Sequence, residues 1–134
     1  NHKERKKELV SLLRDFGLDE LSNIRGIKLS GGERRRTEIA RSVASNPEFI
    51  LLDEPFAGID PIAVSDLKSI ILSLNEKGIG VLISDHNVRD TMNICTKVLI
   101  VNKGKIIANG VPSEIANDKL VKEVYLGKDF DTEL

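Results

Sequence analysis

The stretch Leu29-Ser30-Gly31-Gly32-Glu33-Arg34-Arg35-Arg36 has the pattern of a helix start. Ser30 and Glu33 have the spacing of a capping box, in which each side chain accepts a hydrogen bond from a first-turn N–H group. Gly31 and Gly32 lie between them, so no side chain screens the other N–H groups at the positive end of the helix dipole. The pattern predicts a helix start that can bind a phosphate. An ordinary capped helix is the alternative.

Two acidic residues follow an apolar stretch further along the chain. Phe49-Ile50-Leu51-Leu52 is typical of a parallel strand buried on both faces, and it ends at Asp53-Glu54-Pro55. Ligands of open parallel sheets bind beyond the carboxyl ends of the strands, so we expect both carboxylates at the mouth of a site. One of the two acids can bind Mg²⁺ directly or through water, and its neighbour can orient or deprotonate an attacking water. A solvated Asp-Glu turn is the alternative.

A helix and a second strand complete a β-α-β unit. Asp60-Pro61 predicts a helix start with Asp as the cap, and Lys77-Gly78 predicts its end. The predicted apolar face of this helix consists of Val64, Leu67, Ile70, Ile71 and Leu74. Residues 80–83 predict a second buried strand, which places His86 on the same rim as the acid pair. A structural hydrogen-bonding histidine is the alternative.

The flanking segments predict further elements. Leu9, Leu12, Leu13 and Phe16 have helical spacing and precede Gly17, which predicts an amphipathic helix. A short helix after residue 87 is expected to turn Cys95 into the core. Asn102-Lys103-Gly104 separates two apolar runs and predicts a β-hairpin, with short helices beyond it and an acidic tail over residues 129–134.

Composition limits the class of protein. With 134 residues, 40% hydrophobic and 31% charged, the chain has the composition of one soluble domain with a modest core. A net charge of -1 argues against a general nucleic-acid surface, and one cysteine excludes an internal disulfide and suits a reducing cytoplasm. No apolar run approaches the roughly 18 residues of a membrane span, so any membrane role requires a partner. The start at Asn1, inside a charged helical pattern, suggests a piece of a longer protein.

Together these motifs resemble the C-terminal part of an ATP-binding cassette (ABC) ATPase. Residues 29–33 match the family's signature motif, Phe49 to Asp53 the Walker B strand, residues 57–60 the D-loop, and His86 the switch histidine. The resemblance implies an α/β P-loop NTPase fold: a RecA-like parallel-sheet core without its N-terminal P-loop part, plus part of the α-helical signature subdomain. It further implies a division into a signature subdomain (1–45), a catalytic core (46–110) and C-terminal helices (111–134).

The resemblance also implies a mechanism with ATP and Mg²⁺ in a head-to-tail homodimer. Asp53 would support the metal, Glu54 would act on the water, and His86 would contact the γ-phosphate. The signature motif would close over the ATP of the partner subunit, and Asp60 would bridge the two subunits. The implied contacts of the signature motif come from Ser30, Gly31, Gly32 and Glu33. Membrane permease subunits would be further partners, at the cytoplasmic face of the inner membrane.

Within the family, the chain is similar to ATPases that power lipopolysaccharide export. The similarity lies in residues 29–36, 53–62, 85–89 and 124–130, including Phe56 and Asn87-Val88-Arg89. ATPases of branched-chain amino-acid importers are the alternative. So are a soluble ABC ATPase that acts on ribosomes or DNA, and a non-catalytic interaction fragment.

One departure from the family is large. The chain has no Gly-x-x-x-x-Gly-Lys-Ser/Thr phosphate loop and no glutamine loop, which the resemblance places upstream of Asn1. In the implied fold, the strand leading into that loop lies between the strand ending at Ser84 and the strand over residues 98–101. Without that strand, each of its two neighbours has an open edge with unpaired backbone groups, and buried unpaired groups cost about 1–3 kcal/mol each. We therefore expect the isolated chain not to be an autonomous monomer, and not to bind ATP tightly or hydrolyse it.

Overall fold

The computed structural model describes residues 1–127, and the chain divides into two compact units, residues 1–85 and 86–134. Two predictions lie outside the described residues: the similarity over residues 128–130 and the acidic tail. No helix within residues 1–127 combines the length and the apolar character that crossing a bilayer requires.

The first unit contains three helices and two strands. They are α1 (His2–Asp15), α2 (Gly31–Val43), β1 (Phe49–Asp53), α3 (Pro61–Glu76) and β2 (Gly80–Ser84), with short 3₁₀ turns at Asp19–Leu21 and Gly26–Lys28. The predicted amphipathic helix is confirmed as α1. The chain leaves it through Gly17, whose φ of 60° suits a residue without a Cβ.

The core of the first unit lies around α3 and one face of the sheet. β1 and β2 are parallel, and their register pairs Ile50 with Val81 and Asp53 with Ser84. The residues of the predicted apolar face of α3 are buried, except for Ile70, which is half-buried. The buried apolar residues of this unit are Phe16, Leu18, Ile39, Ala40, Ile50, Phe56, Val64, Leu67, Ile71 and Leu74.

The other face of this sheet is exposed, and three apolar side chains form a strip along it. Phe49, Leu51 and Leu82 are 71%, 75% and 57% exposed, and we call them the apolar strip. The expectation that both strands are buried on both faces is therefore wrong for the described residues. Successive side chains of a strand point to opposite faces, and packing within the unit covers only the face that carries Ile50.

The second unit contains a hairpin and short helices. It comprises α4 (Val88–Met92), β3 (Val98–Asn102), β4 (Lys105–Gly110), α5 (Pro112–Asn117), α6 (Lys119–Val121) and a π-helical turn (Lys122–Leu126). The predicted hairpin is confirmed: β3 and β4 are antiparallel, and Lys103 and Gly104 both have positive φ. Its core consists of Met92, Ile100, Ile115, Ala116 and Val121.

Cys95 does not lie in the core, where it is predicted to be. Cys95 is half-buried instead of a core residue, because α4 ends at Met92 and does not extend to it. Burial nevertheless raises the pKa of the Cys95 thiol.

Within residues 1–127, β2 pairs with β1 alone and β3 with β4 alone. This pairing agrees with the prediction that β2 and β3 each have an open edge.

Candidate functional site

The first turn of α2 has the predicted capping box. Ser30 Oγ accepts a hydrogen bond from the Glu33 amide at 3.3 Å, and Glu33 Oε2 accepts one from the Ser30 amide at 2.8 Å. The backbone N–H of Ser30, followed by its hydroxyl, lowers the pKa of the Glu33 carboxyl. Gly31 is exposed and Gly32 is buried. Glu33 is thus engaged in the cap, and the glycine at the first helical position lies at the surface.

The acid pair lies at the carboxyl end of β1, as predicted. Asp53 and Glu54 are both exposed, and the Ser84 hydroxyl at the end of β2 donates a hydrogen bond to Asp53 Oδ1 at 2.5 Å. The Glu54 amide donates to the Ser84 carbonyl at 2.7 Å, which continues the strand pairing by one bond. Glu54 has a φ of 45°, in the left-handed region that side chains other than Gly, Asn and Asp rarely adopt. The backbone thus leaves the extended conformation at Glu54, directly after Asp53.

An arginine links α2 to this bend. Arg35 Nη2 donates to the Glu54 carbonyl at 3.4 Å, while Arg35 Nη1 pairs with Glu38 at 3.1 Å. Arg35 and Glu38 line a cleft of about 240 Å³ that Leu51 and Asp53 also line. The helix that carries the glycine motif and the strand that carries the acids therefore share one concave surface.

Sequence reasoning missed two residues that support the acid pair. Ser84 bonds Asp53 directly, and Asp85 Oδ2 accepts a hydrogen bond from the Phe56 amide at 3.1 Å. The sequence contains a signal for Ser84, because the two strands are predicted to end on the same rim and Ser84 ends the second. For Asp85 no pattern in the sequence indicated the contact with the loop after Pro55.

Asp60 begins α3, as its sequence predicts. Its Oδ1 accepts hydrogen bonds from the amides of Ile62 and Ala63, both at 3.0 Å. These two bonds satisfy N–H groups that the first turn of a helix leaves without intrahelical partners. The side chain predicted to bridge two subunits therefore also caps its own helix.

His86 is the first residue of the second unit. It is exposed, and its carbonyl accepts a hydrogen bond from the Val88 amide at 3.0 Å, just before α4. Asn87 caps that helix through the Asp90 amide at 3.3 Å. The expectation that His86 shares a rim with the acid pair stays a prediction.

The donor chemistry at Asp53 fits Mg²⁺ in the way this ion is bound beside phosphates. Within residues 1–127 no group of three or more His, Cys, Asp or Glu side chains could hold a metal ion. Mg²⁺ keeps several waters and commonly takes one or two protein carboxylates together with substrate phosphates. One exposed carboxylate, oriented by the Ser84 hydroxyl, is sufficient for that mode of binding.

The fold and the site together define a class. The first strand of a parallel β-α-β unit ends in two acids, of which Glu54 has a strained backbone, and a capped helix that begins with glycines lies next to them. This arrangement is typical of α/β domains that bind nucleotide phosphates.

Sequence comparisons identify the family within that class. The profile of the family described as ABC transporter matches residues 1–57, and one described as branched-chain amino acid ATP-binding cassette transporter matches residues 105–131. The lipopolysaccharide export system ATP-binding protein LptB of Haemophilus influenzae is 54% identical over 127 residues, which are 95% of this chain and 53% of that protein. The LptB of Escherichia coli K12 gives the same identity and coverage. The chain thus spans about half the length of the curated relatives it matches.

Solved structures agree with the sequence comparisons. The ADP conformation of MJ1267, an ATP-binding cassette of an ABC transporter, has a TM-score of 0.83 and 31% identity, and the match covers 92% of this chain and 50% of that one. CbiO1 of Clostridium perfringens, part of the ABC transporter complex cbiONQ, has a TM-score of 0.82 and 28% identity over 94% of this chain and 51% of that one. The chain belongs to the ABC transporter ATPases, and the predicted α/β P-loop NTPase fold is confirmed.

Proposed function

We propose that the whole protein is the ATP-hydrolysing subunit of an ABC transporter. The observation that carries the proposal is the acid pair at the carboxyl end of a parallel strand, with Glu54 held at a φ of 45°. A non-glycine residue in the left-handed region is unfavourable, and such strain is concentrated at functional sites. Because the chain belongs to the ABC transporter ATPases, the reaction expected at this strained acid is ATP hydrolysis.

Each predicted site residue then has a role. Asp53 holds Mg²⁺, which when bound neutralises phosphate charge. Glu54 accepts a hydrogen bond from the attacking water and takes its proton. In a head-to-tail homodimer the first turn of α2, residues 30–33, binds the phosphates of the ATP held by the partner. Asp60 bridges the subunits through the carboxylate that also caps α3. The contact of His86 with the γ-phosphate stays a prediction.

The test is Glu54→Gln in the whole protein, with Glu76→Gln as a matched control on an exposed end of α3. The amide keeps the shape of the side chain but cannot accept a proton, so we expect ATP binding to persist while hydrolysis falls by about 10²- to 10⁴-fold. An ATP-bound dimer should accumulate in size-exclusion chromatography, and the control should match the wild type. Turnover by Glu54→Gln within a few-fold of wild type would remove Glu54 from this role.

We propose in addition that the 134 residues alone neither bind ATP tightly nor hydrolyse it. Their sequence has no Gly-x-x-x-x-Gly-Lys-Ser/Thr loop, which supplies the backbone cradle for phosphates in P-loop proteins. Isothermal titration of the purified 134-residue chain with ATP checks this proposal. Micromolar affinity would contradict it.

For the transported substrate, we propose lipopolysaccharide export from the inner membrane. Its support is the 54% identity to proteins named for that system, together with the resemblance carried in the sequence by Phe56 and residues 87–89. The partners would then be membrane permease subunits at the cytoplasmic face. The test is whether the whole gene restores growth to Escherichia coli depleted of its own LptB, with Glu54→Gln as the inactive control.

A branched-chain amino-acid importer is the second candidate, because the profile of that type of transporter matches residues 105–131. It predicts no rescue of LptB depletion. It also predicts that the protein copurifies with an importer permease, and not with an exporter permease, when each pair is coexpressed. Rescue together with copurification of the exporter permease would exclude it.

A further inference from the structure

The first turns of α2 and α3 pack against each other more closely than any side chain at Gly32 allows. A Cβ built on Gly32 lies 2.6 Å from the Cβ of Ala63, whereas real Cβ atoms essentially never approach a neighbour within 3.0 Å. Gly32 is buried, and the contacting atom belongs to a short side chain that cannot swing away. The second glycine of the signature motif is therefore required by packing inside its own subunit, independently of any ligand.

The adjacent glycine has a milder version of the same contact. A Cβ on Gly31 would lie 3.2 Å from Ile59 Cγ2 and 3.5 Å from the Gly58 carbonyl oxygen. Ile59 is a flexible side chain, so a shift of a few tenths of an ångström accommodates a methyl group there. The two glycines thus contact two successive parts of the segment that runs from the D-loop into α3.

Two polar features fix the same interface. Arg36, one turn beyond Gly32, pairs through Nη1 with Asp66 Oδ2 at 3.3 Å, and only 18% of its side chain is exposed. Ala63 donates its amide to Asp60 Oδ1, so the atom that meets Gly32 belongs to the turn that Asp60 caps. The start of α2, Ala63 and the Asp60 carboxylate are therefore connected by direct contacts.

We propose that Gly32 is a positioning residue: by seating α2 on Ala63, it holds the signature motif and the Asp60 carboxylate in one fixed arrangement. This inference rests on the proposed ATPase function, in which both groups face the partner subunit. A methyl group at position 32 separates the two helix starts and spoils their simultaneous fit to the partner. Shortening residue 63 by the same methyl group restores the space.

The experiment uses the whole protein in four forms: wild type, Gly32→Ala, Ala63→Gly, and the double variant. Relief of the 2.6 Å contact requires a shift of about 1 Å, and misplacement of that size can cost about 10²-fold in rate. We expect Gly32→Ala to lower kcat for ATP hydrolysis by about 10- to 100-fold with little change in KM. The double variant should recover to within about threefold of Ala63→Gly alone.

Thermal unfolding gives a second readout whose sign is informative. Alanine is a better helix former than glycine, so without the contact Gly32→Ala would raise the unfolding midpoint. We expect it to lower the midpoint, and we expect the double variant to reverse that loss. Gly26→Ala is the matched control, because a Cβ at Gly26 meets nothing within 4 Å.

The outcomes separate this inference from the proposed function. If the double variant regains its unfolding midpoint while its kcat stays as low as that of Gly32→Ala, the methyl group acts on the ligand or the partner and the positioning role is refuted. Wild-type activity in Gly32→Ala also refutes it. If the wild type shows no ATP hydrolysis, the proposed function fails, and an unfolding midpoint that Gly32→Ala does not lower refutes the packing contact on its own.

Discussion

Replacing Ser84 by alanine tests whether the Asp53 carboxylate is a metal ligand held in place by its neighbour. The substitution removes the hydroxyl that donates to Asp53 Oδ1 at 2.5 Å. It leaves the Ser84 carbonyl, which accepts the Glu54 amide, unchanged. The variant therefore releases the carboxylate without breaking the pairing between the two strand ends.

The size of the effect follows from this one contact. A hydrogen bond to a charged group is worth about 1.5–3 kcal/mol, and because Asp53 and Ser84 are both exposed, solvent screening reduces this to about 1 kcal/mol. That energy corresponds to about a fivefold change in affinity. Loss of a group that orients a metal ligand typically costs about 10- to 100-fold. We therefore expect a 5- to 10-fold rise, approximately, in the Mg²⁺ concentration that gives half-maximal ATP hydrolysis.

The assay measures ATP hydrolysis by the whole protein against Mg²⁺ concentration at saturating ATP. Ser84→Thr keeps a hydroxyl at the same position and should stay within about twofold of wild type. Ser69→Ala, at an exposed position on α3, controls for the loss of a serine in general. An unchanged Mg²⁺ requirement in Ser84→Ala would refute the reasoning, because it would mean that Asp53 needs no orienting partner or binds no metal.

Three further predictions concern the chain itself. The 134 residues alone should self-associate through the apolar strip, and Leu51→Lys with Leu82→Lys should shift their sedimentation towards the monomer; a monomeric wild type would contradict this. Alkylation of Cys95 at pH 8 should be slower than that of glutathione, because burial raises the pKa of its thiol from about 9.0, and equal rates would contradict it. The Glu33 pKa is lowered from 4.5, so its stabilisation is present above pH 4.5 and disappears as the pH falls through the folded-state pKa. Circular dichroism during acid titration should show this loss in the wild type and a smaller one in Glu33→Gln.

Local signals in the sequence were sufficient for the helix starts and the turns. The pattern Ser30-x-x-Glu33 predicts the observed capping box, and Asp60-Pro61 predicts the observed start of α3. These features depend on residues a few positions apart, whose geometry is set by the backbone of a single turn. The hairpin at Lys103 is predictable for the same reason.

Features that depend on distant residues could not be predicted in the same way. An unbroken apolar run gives no indication of which face of β1 the rest of the unit covers, so the exposure of Leu51 came from packing and not from pattern. The contact between Gly32 and Ala63 joins residues on different helices, and glycines at a helix start already had an explanation in anion binding. The sequence places Ser84 and Asp53 at the ends of neighbouring strands, but the hydrogen bond between them depends on the register of the parallel strands.

At position 54, stability and activity favour different residues. Holding a residue with a Cβ at a φ of 45° costs on the order of 1 kcal/mol or more, which glycine does not incur. A laboratory evolution experiment that rewards heat resistance alone should therefore favour Glu54→Gly, which relaxes the bend and deletes the carboxylate in a single codon change. We expect that substitution to be enriched under thermal selection and depleted when transport is also required. This result would mean that natural selection has kept the glutamate for its activity at the expense of stability.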